Sequence, residues 1–176
     1  MLSCLSIKFF AIILLIIKCL VLIDAQSATN SAPQFRIGDT EFLVWNQTKF
    51  PWKEALKFCA NNDMQLLTIE SEEKQMKLNE QLEKLGFIDR PEIDNRFIYW
   101  TSGNDNDSRG NFVWASTGEA FKYTNWLPGM PDNWQKNEHC VEMGFRELGK
   151  WNDTQCKYRR HFICERFTGD SDKNIV

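Results

Sequence analysis

The chain has 176 residues, 43% of them hydrophobic and 26% charged, which is one domain's worth of sequence with enough apolar residues for a core. Its 21 basic and 24 acidic residues leave a net charge of −3, so no basic excess exists to hold nucleic acid or an anionic membrane. An aromatic content of 13%, including seven Trp, argues against a disordered chain.

The first elements in chain order read as a targeting segment. Phe9 to Ile23 is almost wholly apolar, interrupted by Lys18, preceded by Lys8 and followed by the small residue Ala25. This pattern predicts a secretory signal peptide over 1–25, cleaved near Ala25, and hence a secreted, extracellular protein with no membrane insertion after cleavage. The run is short of the roughly 20 apolar residues that span a bilayer. Cleavage removes Lys8, Lys18 and Asp24, leaving 19 basic and 23 acidic residues and a charge of −4. It also removes Cys4 and Cys19, so that Cys59, Cys140, Cys156 and Cys164 remain. Four Cys in an oxidising compartment predict two disulfides, with three pairings open. Sequons at Asn46, Asn106 and Asn152 fit a secreted glycoprotein.

Residues 26–40 read as a lead-in, polar and flexible from Gln26 to Gln34. Glu41–Trp45 is strand-like. Pro51 suits a helix start, and Trp52, Ala55, Leu56, Cys59 and Ala60 recur at helical spacing until Asn61–Asp63 stops the helix. After the short apolar segment Leu66–Ile69, Ser71 caps a second helix with Glu72 and Glu73 in its first turn, Leu78, Leu82 and Leu85 on one face, and Gly86 at its close. Beyond Arg90–Pro91 helical periodicity vanishes. Strand-like pieces follow at Phe97–Trp100, Phe112–Trp114, Cys140–Met143 and His161–Cys164, separated by segments rich in Gly, Asn, Asp and Pro. This order predicts a single α+β domain over 41–168, with a tail at 169–176. The stretch Ala115–His139 is long and irregular, and its Phe121, Tyr123 and Trp126 predict an ordered loop.

Two clusters carry chemistry: Met130-Pro131-Asp132-Asn133-Trp134 followed by Glu138-His139-Cys140, and Trp151-Asn152-Asp153 followed by Cys156. Asp132, Glu138, Asn152 and Asp153 offer hard oxygen atoms of the kind Ca²⁺ takes in sets of six to eight. From the residues alone, a calcium site and a set of solvated polar loops beside a disulfide both stand open.

The succession Trp100-x-x-Gly103, Trp126, Pro131-Asp132, Glu138-His139-Cys140, Trp151-Asn152-Asp153 and Cys164 resembles the C-type lectin-like domain, from about Phe42 to Phe167, in the short secreted single-domain form known from insects. The resemblance implies a C-type lectin-like fold of two helices with small antiparallel sheets and a long ligand-binding loop. It implies Cys59–Cys164 and Cys140–Cys156 disulfides, and one Ca²⁺ held by Asp132, Glu138, Asn152 and Asp153, the same side chains binding vicinal sugar hydroxyls. Asp132 at the end of its triplet resembles the galactose-type pattern, and Trp134 would then stack on the apolar face of the sugar. The glycine-rich stretch that follows that Trp in the family is absent here. Met130 also departs from the family, which has Glu or Gln there; a thioether is a soft ligand unsuited to Ca²⁺. The expected function is therefore a calcium-dependent, galactose-type lectin, with a calcium-independent module binding a protein ligand as the alternative. Asp105 alone matches an auxiliary calcium site, where Arg109, Asn133 and His139 replace acids, so a second ion is not expected. A glycan on Asn152 conflicts with a ligand role there, which leaves Asn46 and Asn106 as the better acceptors. No enzyme is expected: only His139 and His161 are available as histidine bases, and no nucleophile–His–acid grouping is visible.

Overall fold

The computed structural model describes residues 32–87, 97–105 and 108–169. Chain contacts separate Met1–Ala32 from Pro33–Val176, and every element below belongs to the second unit. The signal segment, Asn106 and residues 170–176 lie outside the described residues.

In chain order the elements are β1 (Gln34–Ile37), β2 (Thr40–Phe50), α1 (Trp52–Asn61), β3 (Gln65–Leu66), α2 (Glu72–Lys84), β4 (Tyr99–Asn104), β5 (Val113–Trp114), a 3-10 turn (Trp134–Lys136), β6 (Cys140–Met143), β7 (Trp151–Thr154) and β8 (Arg160–Phe167). The strands form one sheet in the order β1-β2-β8-β4-β6-β7, with β3 against β8 and β5 against β4. β4 runs parallel to β8 and the other pairs are antiparallel. The two helices and the antiparallel ladders that the resemblance implied are present, and the ladders join into one mixed sheet because β8 is shared by β2, β3 and β4.

Both helices form where their signals stand. Pro51 precedes α1, which buries Trp52, Ala55 and Cys59, and Ser71 Oγ accepts the Lys74 amide of α2 at 3.2 Å. α2 buries Leu78 and Leu82 against Phe42, Val44, Tyr99, Met143, Trp151 and Ile163. On the other sheet face Phe58 of α1 meets Trp45, Phe50 and Phe162. β1 arises in residues assigned above to the lead-in. Alternation of Phe35 and Ile37 with Gln34 and Arg36 puts two apolar side chains on the core side, and Phe35 stacks on Phe42 at 5.0 Å. β2 extends past Trp45 to Phe50, so Asn46 sits in a strand rather than a loop, half-buried where the β2–β8 ladder shifts register.

The Cys59–Cys164 and Cys140–Cys156 disulfides are both formed. The first ties α1 to β8 across 105 residues and, on the chain-entropy account, contributes about 4 to 5 kcal/mol by restricting the unfolded chain. The second closes only 16 residues but joins the start of β6 to the turn just after β7, which positions the site.

Candidate functional site

The site grows from β7. Trp151 is fully buried, with its indole donating from Nε1 to Gln75 Oε1 at 2.8 Å and four aromatic rings around it at 5.6–5.7 Å. Side chains alternate along a strand, so Asp153 leaves β7 on the same face as Trp151 and Asn152 on the other. Beyond the core edge Asp153 meets the long loop: Oδ1 accepts the Asp132 amide at 3.1 Å and Oδ2 the Asn133 amide at 2.8 Å. Glu138, at the loop's end, is brought in by β6. The result is that carboxylate oxygens of Asp132, Glu138 and Asp153 all lie within 4.8 Å of one another.

The loop wraps these carboxylates with its backbone. The Trp134 amide donates to Asp132 Oδ1 at 3.1 Å and Glu138 Oε2 at 2.9 Å, and Asn133 Oδ1 accepts the Glu138 amide at 3.3 Å. Reaching this arrangement puts Asn133, Gln135 and Lys136 at φ of 48°, 55° and 56°. The left-handed region disfavours side chains with a Cβ, so the loop stores strain at this site. The Met130–Pro131 peptide that leads into the loop is cis.

Two of these carboxyls, Glu138 and Asp153, hold their protons more tightly than usual, chiefly because they are buried. Burial pushes the Glu138 carboxyl up to about 7; the Trp134 amide opposes this, and the charges of Asp153 and Asp132 add to it. Burial also raises Asp153, against the pull of the Asn133 and Asp132 amides. Three converging carboxylates of this kind suit a hard divalent cation, which relieves their repulsion while keeping them ionised.

Asn152 stands beside Asp153 in the chain but points elsewhere. Its Nδ2 donates to Glu142 Oε1 at 3.0 Å, and Glu142 Oε2 accepts from Arg160 Nε at 2.6 Å. Glu142 is wholly buried; burial pushes its carboxyl up while Arg160 and Asn152 pull it down. The sequence reading missed Glu142 and Arg160. The signal was present: a Glu in the apolar run Cys140–Met143 needs a partner once buried. Since Nδ2 is the donor in this bond, Oδ1 of Asn152 is the amide's remaining acceptor.

Trp134 lies beside the carboxylates and is 57% exposed, although its own amide is held in the cluster. Met130 adds no hard oxygen atom. At the loop's other end, Asp105 Oδ1 is 2.7 Å from His139 Nδ1, its Oδ2 accepts the Gly110 amide at 2.7 Å, and Arg109 Nη2 lies 3.2 Å from His139 Nε2 and 3.3 Å from the Lys136 carbonyl it donates to. A guanidinium only donates, so His139 Nε2 accepts and Nδ1 carries the proton given to Asp105. The Asp105 carboxylate is thus engaged by protein donors.

A model of the C-type lectin domain matches residues 48–166, which spans both clusters and both disulfides. The chain belongs to the C-type lectin family. The lectin is 38% identical over 120 residues to salivary C-type lectin 2 of Aedes albopictus, covering 65% of this chain and 76% of that one. Among solved structures it is similar to the mouse scavenger receptor C-type lectin carbohydrate-recognition domain, at 25% identity and a TM-score of 0.63, covering 76% of this chain and 95% of that domain. The same fold, at 21% identity and a TM-score of 0.60, is found in a calcium-independent type II antifreeze protein, with 76% of this chain and 91% of that one covered. The lectin fold alone therefore does not decide whether a cation is used; the side chains do.

Proposed function

We propose that this lectin is an extracellular, Ca²⁺-dependent carbohydrate-binding protein with a galactose-type preference. The observation that carries the reading is the convergence of Asp132, Glu138 and Asp153 within 4.8 Å beside the exposed indole of Trp134. These three carboxylates would hold the ion. Asn152 lies on the other face of β7 with its amide on the Glu142–Arg160 pair, so it would complete the set only by presenting its Oδ1 past the strand edge. A bound ion supplies positive charge and coordination sites for sugar hydroxyls, which compete poorly for ligands against bulk water. Around it, Asp132, Glu138 and Asp153 accept hydrogen bonds from hydroxyls, the Asn152 amide is one further polar group, and Trp134 offers a flat apolar surface to the C–H face of the sugar. No helix among the described residues is long and apolar enough to cross a membrane, and the apolar leader at 1–25 supports secretion. Asn46, in β2, and Asn106 are the proposed glycan acceptors.

Retention on immobilised galactose and mannose tests this, first with Ca²⁺ and then with a chelator. Retention on galactose that the chelator abolishes is expected. One observation favours a second reading: the carboxylates already accept backbone amides, and Met130 withholds a ligand. A calcium-independent module that binds a protein would show no sugar retention and no rise in melting temperature with Ca²⁺.

A further inference from the structure

A cavity of 330 Å³ reaches Pro131, the chain neighbour of Asp132, and none of the residues lining it is charged. Its floor is aromatic. Phe112 and Trp126 pack with ring centroids 5.0 Å apart and Phe121 lies 6.2 Å from Trp126. Phe121 and Trp126 remain half-buried, so part of each ring faces the opening. Asn111 and Thr124, both exposed, form the polar rim. Asn111 Nδ2 donates to Ser108 Oγ at 2.8 Å, which leaves its Oδ1 as an acceptor. The far wall is Pro131, the residue before Asp132.

The cavity and the carboxylate site are registered to the same strand. Trp126 is held against Trp151 by the bonds Trp151 N to Asn125 O and Leu127 N to Trp151 O, both 2.9 Å. Two residues along β7, Asp153 holds the Asp132 and Asn133 amides. Because Trp151 also backs the Trp126 ring at 5.7 Å and 83°, the floor is set before anything binds.

We infer that this cavity is a second sugar subsite, taking the pyranose next to the terminal one in an oligosaccharide whose end sits at Asp132, Glu138 and Asp153. An uncharged, half-open cavity with an aromatic floor and a hydroxyl- and amide-bearing rim matches a neutral sugar ring, which has an apolar C–H face and a polar edge. It excludes phosphate, sulfate or ammonium groups, since no counter-charge lines it. An alkyl chain would use the aromatic floor but gain nothing from the rim groups Asn111 and Thr124. The inference rests on the carbohydrate-binding reading of the adjacent site.

The test compares the affinity of the Ca²⁺-loaded lectin for a monosaccharide, galactose or mannose, with a disaccharide ending in that sugar and with its octyl glycoside. The disaccharide is expected to bind about three- to tenfold more tightly than the monosaccharide, the range of one added ring contact. Trp126→Ala threatens the fold through Trp151, so Ala120→Arg, from an exposed position on the cavity wall, supplies the block. It is expected to erase the disaccharide gain with the monosaccharide affinity and melting temperature unchanged. A disaccharide that binds no more tightly, a gain that survives Ala120→Arg, or a gain confined to the octyl glycoside overturns the subsite and leaves the adjacent site standing. Absence of all sugar binding overturns the carbohydrate reading itself, and the subsite with it.

Discussion

The backbone amide of Trp134 donates to Glu138 Oε2 at 2.9 Å while the Trp134 indole stands in solvent. One residue thus links the charged centre of the site to its apolar surface. Removing the side chain leaves the amide in place. Trp134→Ala is therefore expected to weaken sugar binding by about fivefold, on the order of 1 kcal/mol for a lost aromatic contact, with the melting temperature almost unchanged. Titration of sugar alongside thermal unfolding checks this; equal affinity in the variant would show that the indole is only a loop residue.

Proton and cation compete at Glu138. In the metal-free protein its carboxyl is raised from 4.5 to about 7. A raised carboxyl binds its proton more tightly when folded than when unfolded. Its contribution is thus favourable at low pH and is lost as pH rises through the window from about 4.5 to about 7. Metal-free protein should lose stability across that window, and Glu138→Gln should flatten the slope. Calcium affinity should run the opposite way and fall as pH drops below about 7, with protons released on binding. Calorimetry in buffers of different ionisation enthalpy reads that release directly; none at about pH 6 would count against Glu138 as a ligand.

Met130 is the missing oxygen. Met130→Gln is expected to raise calcium affinity by about tenfold, the scale of one well-placed charge-assisted contact near 1.4 kcal/mol. The chelated protein should melt at the same temperature as the wild type. Unchanged affinity would mean that position 130 does not face the ion.

The two disulfides should separate stability from function. Replacing Cys59 and Cys164 with Ala removes a constraint of about 4 to 5 kcal/mol and should lower the melting temperature most. Replacing Cys140 and Cys156 opens a 16-residue loop worth about 3 kcal/mol, yet it loosens the β6–β7 end that aligns Glu138 with Asp153. That variant should lose more calcium affinity per degree of melting temperature than the first.

Gly103 is a packing constraint rather than a flexible joint. A Cβ there would lie 2.6 Å from Phe121 Cζ and 2.9 Å from Val141 Cβ. Gly103→Ala is expected to destabilise the protein by about 1 to 3 kcal/mol, measured by denaturant unfolding. Since Phe121 floors the second subsite, disaccharide binding should suffer before monosaccharide binding does.

Much of this was legible in the residues. Both helices carry their own signals, Pro51 and Ser71 at their starts and apolar faces at helical spacing, which local backbone chemistry is enough to express. Asp132, Glu138 and Asp153 were legible as hard-oxygen donors, and both disulfides followed from the family resemblance. β7 was not read as a strand, because Trp-Asn-Asp-Thr has no alternation of its own; it forms because β6 pairs with it. β1 was likewise lost in a polar lead-in until Phe42 gave Phe35 something to stack on.

Chemical identity, which residue types are available and at what spacing, is a property of the chain alone. Direction in space is not. Asn152 and Asp153 are neighbours in sequence with the same candidate role, but a strand sends them to opposite faces: Asp153 to the loop amides and Asn152 to the buried Glu142–Arg160 pair. Arg109, His139 and Asp105 are separated by up to 34 residues and meet only because β4 and β6 lie side by side. The aromatic excess visible in composition becomes two different things once folded: a core around Trp151, and a half-open floor at Trp126 and Phe121. Which rings are covered and which are left facing solvent depends on long-range pairing, and no local pattern of residues contains that information.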